Sequence, residues 1–190
     1  MKKTDIVVSL VTYNSNLNYI NQLVEDLKKI DTINIELIIA DNLSNKNYFY
    51  KLNEINAKII STGENLGYGR ANNLIEEISD DSEYFLVINP DVKINNETIT
   101  NLYQFMQSNK NYHLLSPMLI SEDQKYFNFR RDKFNFTTLL YRWLFKIEDK
   151  YSELNLDTLD EVINVNYISG SFMFFRRETF KKINGFNKSF

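Results

Sequence analysis

The chain of 190 residues has no cysteine, two prolines, five glycines, one histidine and one tryptophan. Without a thiol there is neither a disulfide framework nor a thiolate nucleophile, so any metal must be held by oxygen ligands or by the lone His113. That histidine follows Tyr112 at the start of an apolar run and has no acidic neighbour in sequence, which reads as a packed or surface imidazole. Long apolar runs are missing too: none approaches the ~20 residues that a membrane-spanning helix needs. The start, Met1-Lys2-Lys3 followed by an apolar stretch over 6–11, could pass for a secretion signal. Asp5 interrupts it, and it runs into Thr12-Tyr13-Asn14 with no small-residue cleavage site, so a strand is the better reading. A basic surplus is absent, with a formal net charge of -3, and broad nucleic-acid binding is thereby excluded. These absences leave a cytoplasmic protein as the expectation, a single domain long enough to bury a core.

What is present is a regular alternation. Residues 6–11 form a continuous apolar, β-branched run, the pattern of a strand covered on both faces. Leu17, Ile20, Leu23, Val24, Leu27 and Ile30 then recur at three- and four-residue spacing, which predicts an amphipathic helix. A second strand over 35–40 closes on Asp41-Asn42, and a short helix over 48–55 and a third strand over 57–61 follow. The loop 63–70 holds three of the five glycines, so its backbone needs unusual dihedrals or close approach by a ligand. It leads into a helix over 71–78. The apolar run over 84–88 is a fourth strand that stops at Asn89-Pro90-Asp91. Asn95 or Asn96 then caps a helix in which Ile99, Leu102, Tyr103 and Met106 share a face. Four alternations predict an α/β architecture, a doubly wound and mainly parallel sheet flanked by helices.

Beyond Pro117 the alternation breaks down. The pattern predicts a short strand over 126–129, then a basic knot at Arg130-Arg131-Asp132-Lys133. Phe136, Leu139, Leu140, Trp143, Leu144 and Ile147 make a helical apolar stripe, read as core packing in preference to contact with a membrane surface. A polar surface excursion over 148–161 precedes a strand over 162–168. Extended structure resumes over 172–175, and a short helix over 177–183 is stopped by Asn184-Gly185.

A parallel sheet puts its strand C-termini on one edge, so Thr12-Tyr13-Asn14, Asp41-Asn42 and Asn89-Pro90-Asp91 converge on one crevice, with the glycine loop emerging beside them. An apolar run that stops at a carboxylate delivers Asp91 to the rim of the sheet, where it could serve a metal-assisted site. The same Asn-Pro-Asp is equally an ordinary turn.

Taken together, Val11-Thr12-Tyr13-Asn14, Asp41-Asn42-Leu43-Ser44, Asn65-Leu66-Gly67-Tyr68-Gly69 with Asn72-Asn73, Asn89-Pro90-Asp91 and Gly170-Ser171 through Gly185-Phe186 resemble the family 2 glycosyltransferases. These are inverting enzymes of the GT-A fold, and the pattern is most similar to their bacterial rhamnosyltransferase-like branch. The resemblance runs in order over nearly the whole chain. It implies that residues 1–116 form a donor-binding half and residues 117–190 an acceptor-side half. It makes Thr12, Tyr13 and Asp41 a nucleobase pocket with Asn14 beside it, and lines the donor's ribose and diphosphate with Asn65, Gly67 and Arg70. A carboxylate such as Asp41 accepts a hydrogen bond from the imide N–H of uracil or thymine, where cytosine offers a lone pair. A UDP- or dTDP-sugar, dTDP-rhamnose among them, is therefore the expected donor. Arg70 reads either as a cation for phosphate or as a solvated residue at a helix start.

Asn89-Pro90-Asp91 takes the place of the family's Asp-x-Asp motif. The resemblance makes Asp91 the ligand of Mg2+ or Mn2+, while Asn89 departs from the acidic form and takes a lesser part in donor binding. The implied acceptor is a saccharide or lipid-linked saccharide of bacterial surface polysaccharide synthesis, met at the inner face of the cell membrane. An inverting transfer also needs a base for the acceptor hydroxyl. In the family that carboxylate follows the segment matching Gly185-Phe186-Asn187, so it is expected beyond Phe190, and Glu178, which precedes that turn, is not its equivalent. The expectation is a chain that holds donor and metal but transfers sugar poorly. Two other readings stand beside it. One is a catalytically incomplete donor-binding or scaffold fragment of the same fold. The other is a sugar nucleotidyltransferase, disfavoured because Thr12-Tyr13-Asn14-Ser15-Asn16 supplies neither the glycine nor the cation of a phosphate-binding loop. Tyr68 and Trp143 could stack on sugar or base.

Overall fold

The apolar run at the start becomes β1 (Ile6–Thr12), buried along its whole length as a strand covered on both faces must be. The computed structural model describes residues 3–120, 129–130 and 162–189. After β1 come α1 (Leu17–Lys28), β2 (Ile35–Asp41), α2 (Lys46–Leu52), β3 (Lys58–Ser61), α3 (Tyr68–Ile78), β4 (Tyr84–Ile88), α4 (Asn96–Ser108) and β5 (Leu114–Leu115). Further on lie β6 (Phe129–Arg130), β7 (Tyr167–Ile168), β8 (Phe172–Arg176) and α5 (Arg177–Lys182). Three of the helices begin on an asparagine whose side-chain oxygen accepts a backbone N–H of the first turn: Asn16 for α1, Asn45 for α2 and Asn95 for α4.

Two compact units emerge, Met1–Pro117 with Gly170–Phe190 and Met118–Ser169. In the first, six strands form one sheet in the order β3-β2-β1-β4-β8-β5. The four strands from β3 to β4 are parallel, β8 runs antiparallel to β4, and β5 antiparallel to β8. From β1 the chain winds outward through β2 to β3 and then returns to place β4 on the other side of β1. The switch in winding direction therefore falls between β1 and β4, where open α/β sheets form a ligand crevice. In the second unit β6 and β7 pair antiparallel.

One face of the six-stranded sheet carries Val7, Val11, Ile38, Ala40, Phe85, Val87 and Phe175, packed with Ala71 and Ile75 of α3 and Phe180 of α5. On the other, the Tyr84 ring stacks on Phe174 at 5.1 Å and meets Tyr103 of α4 edge-on at 5.4 Å. Two consecutive buried arginines stand at the junction of β8 and α5, Arg176 ending the strand and Arg177 opening the helix. Arg176 donates to the carbonyls of Met106, Asn109 and Tyr112, closing the C-terminus of α4. Arg177 pairs with the Glu76 carboxylate at 3.0 Å and donates to the Glu76 and Asp80 carbonyls and to the Ser79 and Ser82 hydroxyls, closing α3. Both supply the positive charge that a helix C-terminus favours.

The expected alternation and the cap at Asn95 hold, with three adjustments, one of them that the helix expected over 48–55 runs over Lys46–Leu52. Helix α3 begins at Tyr68 and not at 71, because Gly67 with φ 74 is its N-cap and Gly69 is already helical. The strand expected over 162–168 shrinks to Tyr167–Ile168, since 162–166 finds no ladder partner among the described residues. Phe129 of the expected 126–129 strand lies in β6. Residues 126–128, the basic residues after Arg130, the apolar stripe from Phe136 to Ile147 with Trp143, and the excursion 148–161 lie outside the described residues.

Candidate functional site at the C-terminal edge of the sheet

Thr12 ends β1 and Asp41 ends β2, and the parallel register sets them side by side. Both are buried, at 1% and 2% exposure. Thr12 Oγ1 lies 2.6 Å from the hydroxyl of Tyr48, a residue of α2. The two carboxylate oxygens of Asp41 share one donor among the described residues, the Ser44 backbone N–H, 3.3 Å from each. Burial pushes the Tyr48 phenol pKa up and the Asp41 charge adds to it, outweighing the bond to Thr12, so the hydroxyl keeps its proton. Tyr13 and Leu43, which directly follow Thr12 and Asn42, are 57% and 50% exposed. Asn14, at φ 52, knits two loops together. Its N–H donates to Ser44 Oγ at 2.8 Å, and its Oδ1 accepts from the Asn45 backbone N–H at 3.1 Å and from Asn45 Nδ2 at 2.6 Å.

Asn42 attaches the glycine loop to these strand ends. Its backbone N–H donates to Thr12 O at 2.8 Å, its Nδ2 to Asn65 Oδ1 at 2.9 Å, and its Oδ1 accepts from the Leu66 N–H at 2.8 Å. Asn65 Oδ1 accepts in turn from the Gly67 N–H at 3.0 Å. Arg70, in the first turn of α3, pairs with Glu64 at 3.3 Å, both side chains exposed. Gly67 has the positive φ expected of this loop. Gly69 answers the other expectation, close approach, but through the chain itself: a Cβ there would stand 3.0 Å from Phe186 Cβ.

On the far side of β1, β4 delivers Asn89, whose backbone N–H donates to Ser171 O at 2.9 Å just ahead of β8. Asp91 stands exposed on the rim, and its carboxylate takes no hydrogen bond or ion pair among the described residues. The Tyr68 hydroxyl donates to Gly170 O at 2.6 Å. Burial raises that phenol's pKa well above the usual tyrosine range, and the Asp91 charge pushes the same way. Among the described residues no cluster of three or more acidic or histidine side chains could hold a metal unaided. A lone rim carboxylate nonetheless fits Mg2+ or Mn2+, because hard ions of this kind combine one or two protein carboxylates with water and substrate phosphate oxygens.

The crevice thus unites Thr12, Asp41 and, through Asn42, Asn65 and Gly67, with Asn89 and Asp91 on the same edge, while Arg70 is held by Glu64. Sequence reasoning overlooked Tyr48, whose place at the start of α2 marks it only as another aromatic on a helix. Glu178 stands elsewhere. Strand β8 runs against β4, so α5 starts at the opposite edge, where the Arg177 N–H donates to Glu83 O at 3.1 Å. His113 belongs to that edge as well, its Nδ1 3.0 Å from Thr179 Oγ1.

Among curated proteins, the low-salt glycan biosynthesis hexosyltransferase Agl10 of Haloferax volcanii is 30% identical over 128 residues, 63% of this chain and 38% of its own length. The dTDP-rhamnosyl transferase RfbF of Shigella flexneri is 28% identical over 127 residues, 65% of this chain and 42% of its own. The chain therefore spans less than half the length of these relatives. Solved structures that share its fold include TarS 1–349 of S. aureus in complex with UDP (TM-score 0.62, 20% identity, 98% of this chain and 51% of that one) and the mannosyltransferase PcManGT of Pyrobaculum calidifontis with GDP-Man and Mn2+ (TM-score 0.61, 14% identity, 98% and 48%). That likeness is one of fold, the GT-A arrangement. A family model for glycosyl transferase family 2 matches residues 7–183, from the first strand to the turn after α5, and the chain belongs to that family.

Proposed function

We propose that the crevice binds a nucleoside diphosphate sugar, with a UDP- or dTDP-sugar as donor, for inverting transfer to a saccharide or lipid-linked acceptor in surface polysaccharide synthesis. The observation that carries this reading is the pairing of buried Thr12 and Asp41 at the ends of adjacent strands, with Asp91 on the same edge. The name of RfbF, a dTDP-rhamnosyl transferase, supports a pyrimidine donor, and the names of both curated relatives support hexosyl transfer. Asp41 accepts the imide N–H of the base. Entry to so deep a carboxylate needs neighbouring side chains to turn aside, and Tyr13 and Leu43 are exposed enough to do so. Asn65 and Gly67 flank the ribose, Asn14 holds the two loops in register, and Arg70 leaves Glu64 for the diphosphate.

Asp91, with the diphosphate oxygens, would hold Mg2+ or Mn2+, which supplies neutralisation of the charge that develops on the departing nucleoside diphosphate. The donor half, residues 1–116, performs this binding, and acceptor binding is assigned to residues 117–190. No helix among the described residues is long and apolar enough to cross a membrane.

Calorimetric titration of the chain with UDP and dTDP, with and without Mn2+, tests the reading. Tight binding that needs Mn2+ is expected, with Asp91→Ala abolishing the Mn2+ dependence and Asp41→Asn weakening both nucleotides roughly tenfold or more. Absence of binding by the unmodified chain would leave a scaffold built on the same fold.

A further inference from the structure

We infer that Tyr48 sets the nucleobase preference of the crevice: by engaging the Thr12 hydroxyl it keeps one hydroxyl proton available as a donor beside the acceptor Asp41. The inference rests on the donor-binding reading above and names Tyr48 as a positioning residue. Two hydroxyls carry two protons, and the 2.6 Å contact between Thr12 Oγ1 and Tyr48 uses one of them, whichever group donates. The other proton is then the donor assigned to the crevice. Next to it, two Asp41 oxygens with roughly four lone-pair sites share one long contact to the Ser44 N–H. The floor of the crevice therefore presents an acceptor with a donor alongside. That arrangement complements an N–H next to a carbonyl, as in uracil and thymine. In the pose that sets the ring N–H of uracil or thymine against Asp41, cytosine turns an unprotonated ring nitrogen toward the carboxylate.

Without the phenol oxygen, Thr12 keeps its single proton and loses its partner. The strongest acceptor left to a buried hydroxyl at the end of β1 is the carboxylate of its register partner, Asp41. Donation there removes the free donor and occupies a lone pair that the base would need. The ring itself is held independently, because α2 is capped by Asn45 through the Tyr48 backbone N–H at 2.9 Å, and Tyr48 is 9% exposed. Tyr48→Phe thus deletes the oxygen and keeps the packing.

The experiment titrates the unmodified chain, Tyr48→Phe, Thr12→Val and the double variant with UDP and CDP in Mn2+, alongside thermal melts. The unmodified chain is expected to favour UDP over CDP. Tyr48→Phe should lower UDP affinity roughly five- to tenfold and CDP affinity little, collapsing the ratio, with Thr12→Val acting the same way and the double variant adding little more. An unchanged UDP-to-CDP ratio, or an equal loss for both nucleotides, overturns the inference and reduces Tyr48 to packing. If Tyr48→Phe fails to fold, Thr12→Val decides on the same ratio. An unmodified chain that binds neither nucleotide overturns the donor-site reading and this inference with it, an outcome visible before any variant is made.

Discussion

At the scale of single residues, Arg70 and Glu64 hold each other at 3.3 Å on the exposed rim of the crevice. A solvent-exposed pair contributes about 0–1 kcal/mol, little enough for a diphosphate to take the guanidinium away. Glu64→Gln should accordingly shift the melting temperature by less than about 3 °C and leave UDP affinity intact or improved. Arg70→Gln should weaken UDP roughly threefold or more at low salt, and the difference should shrink at high ionic strength. Titration of both variants at two salt concentrations checks this, and equal affinity of Arg70→Gln and the unmodified chain would place Arg70 outside the donor site. Thr12, Asp41 and Asp91 could be picked out in advance because each stands where an apolar run stops, a local signal. Tyr48 gave no such signal: its hydroxyl matters only because α2 folds back onto the end of β1. Asn14, which the resemblance sets beside the nucleobase pocket, has described bonds that join two loops, through contacts to Ser44 and Asn45 that spacing does not reveal.

Among the elements, α3 and the turn after α5 are joined by one amide. Asn73 Nδ2 donates to Phe186 O and Asn73 Oδ1 accepts from the Phe186 N–H, both at 2.8 Å, while the Phe186 ring lies 5.3 Å from Phe180 and 6.2 Å from Tyr68. The turn needs glycine at 185, where φ is 67 and a Cβ would stand 2.4 Å from Asn73 Oδ1. Gly185→Ala should destabilise the chain by about 1–3 kcal/mol through strain and clash together. Asn73→Ala removes the clashing oxygen, so the two changes should combine to less than their sum in a urea-denaturation cycle. Strict additivity would show that the clash relaxes without cost. The elements themselves were largely readable, since period and caps are local: Asn95 caps its helix as expected, and Asn16 and Asn45 do the same for theirs. The end of α3 at Ser79 was not explained by sequence, because the Arg177 side chain that closes it arrives from the far end of the chain.

For the molecule as a whole, the parallel run of β1 to β4 follows from alternation and right-handed crossovers, whereas their order β3-β2-β1-β4 and the place of β8 beside β4 do not. Pairing between Tyr84–Ile88 and Phe172–Arg176 spans so much intervening chain that neither strand carries a trace of the other. That pairing makes β4 the axis of the fold and ties stability to the crevice at its end. Phe85 is fully buried, its ring 4.9 Å from Phe180. It lies three strand positions before the crevice end of β4, at register partner Phe175. Phe85→Ala should cost about 3–5 kcal/mol, a large part of the ~5–15 kcal/mol that holds such a chain folded. A ligand that binds only the folded crevice, supplied at ~100 times its dissociation constant, returns about 2.7 kcal/mol. At roughly 2–4 °C per kcal/mol for a chain of this size, UDP with Mn2+ should raise the melting temperature of Phe85→Ala by about 5–10 °C. Adding Asp41→Asn to the same background, with its roughly tenfold or greater loss of affinity, should cut the rise to about half or less. A Phe85→Ala melt indifferent to nucleotide at concentrations that saturate the unmodified chain would mean that binding does not depend on the strand ends that β4 holds in place.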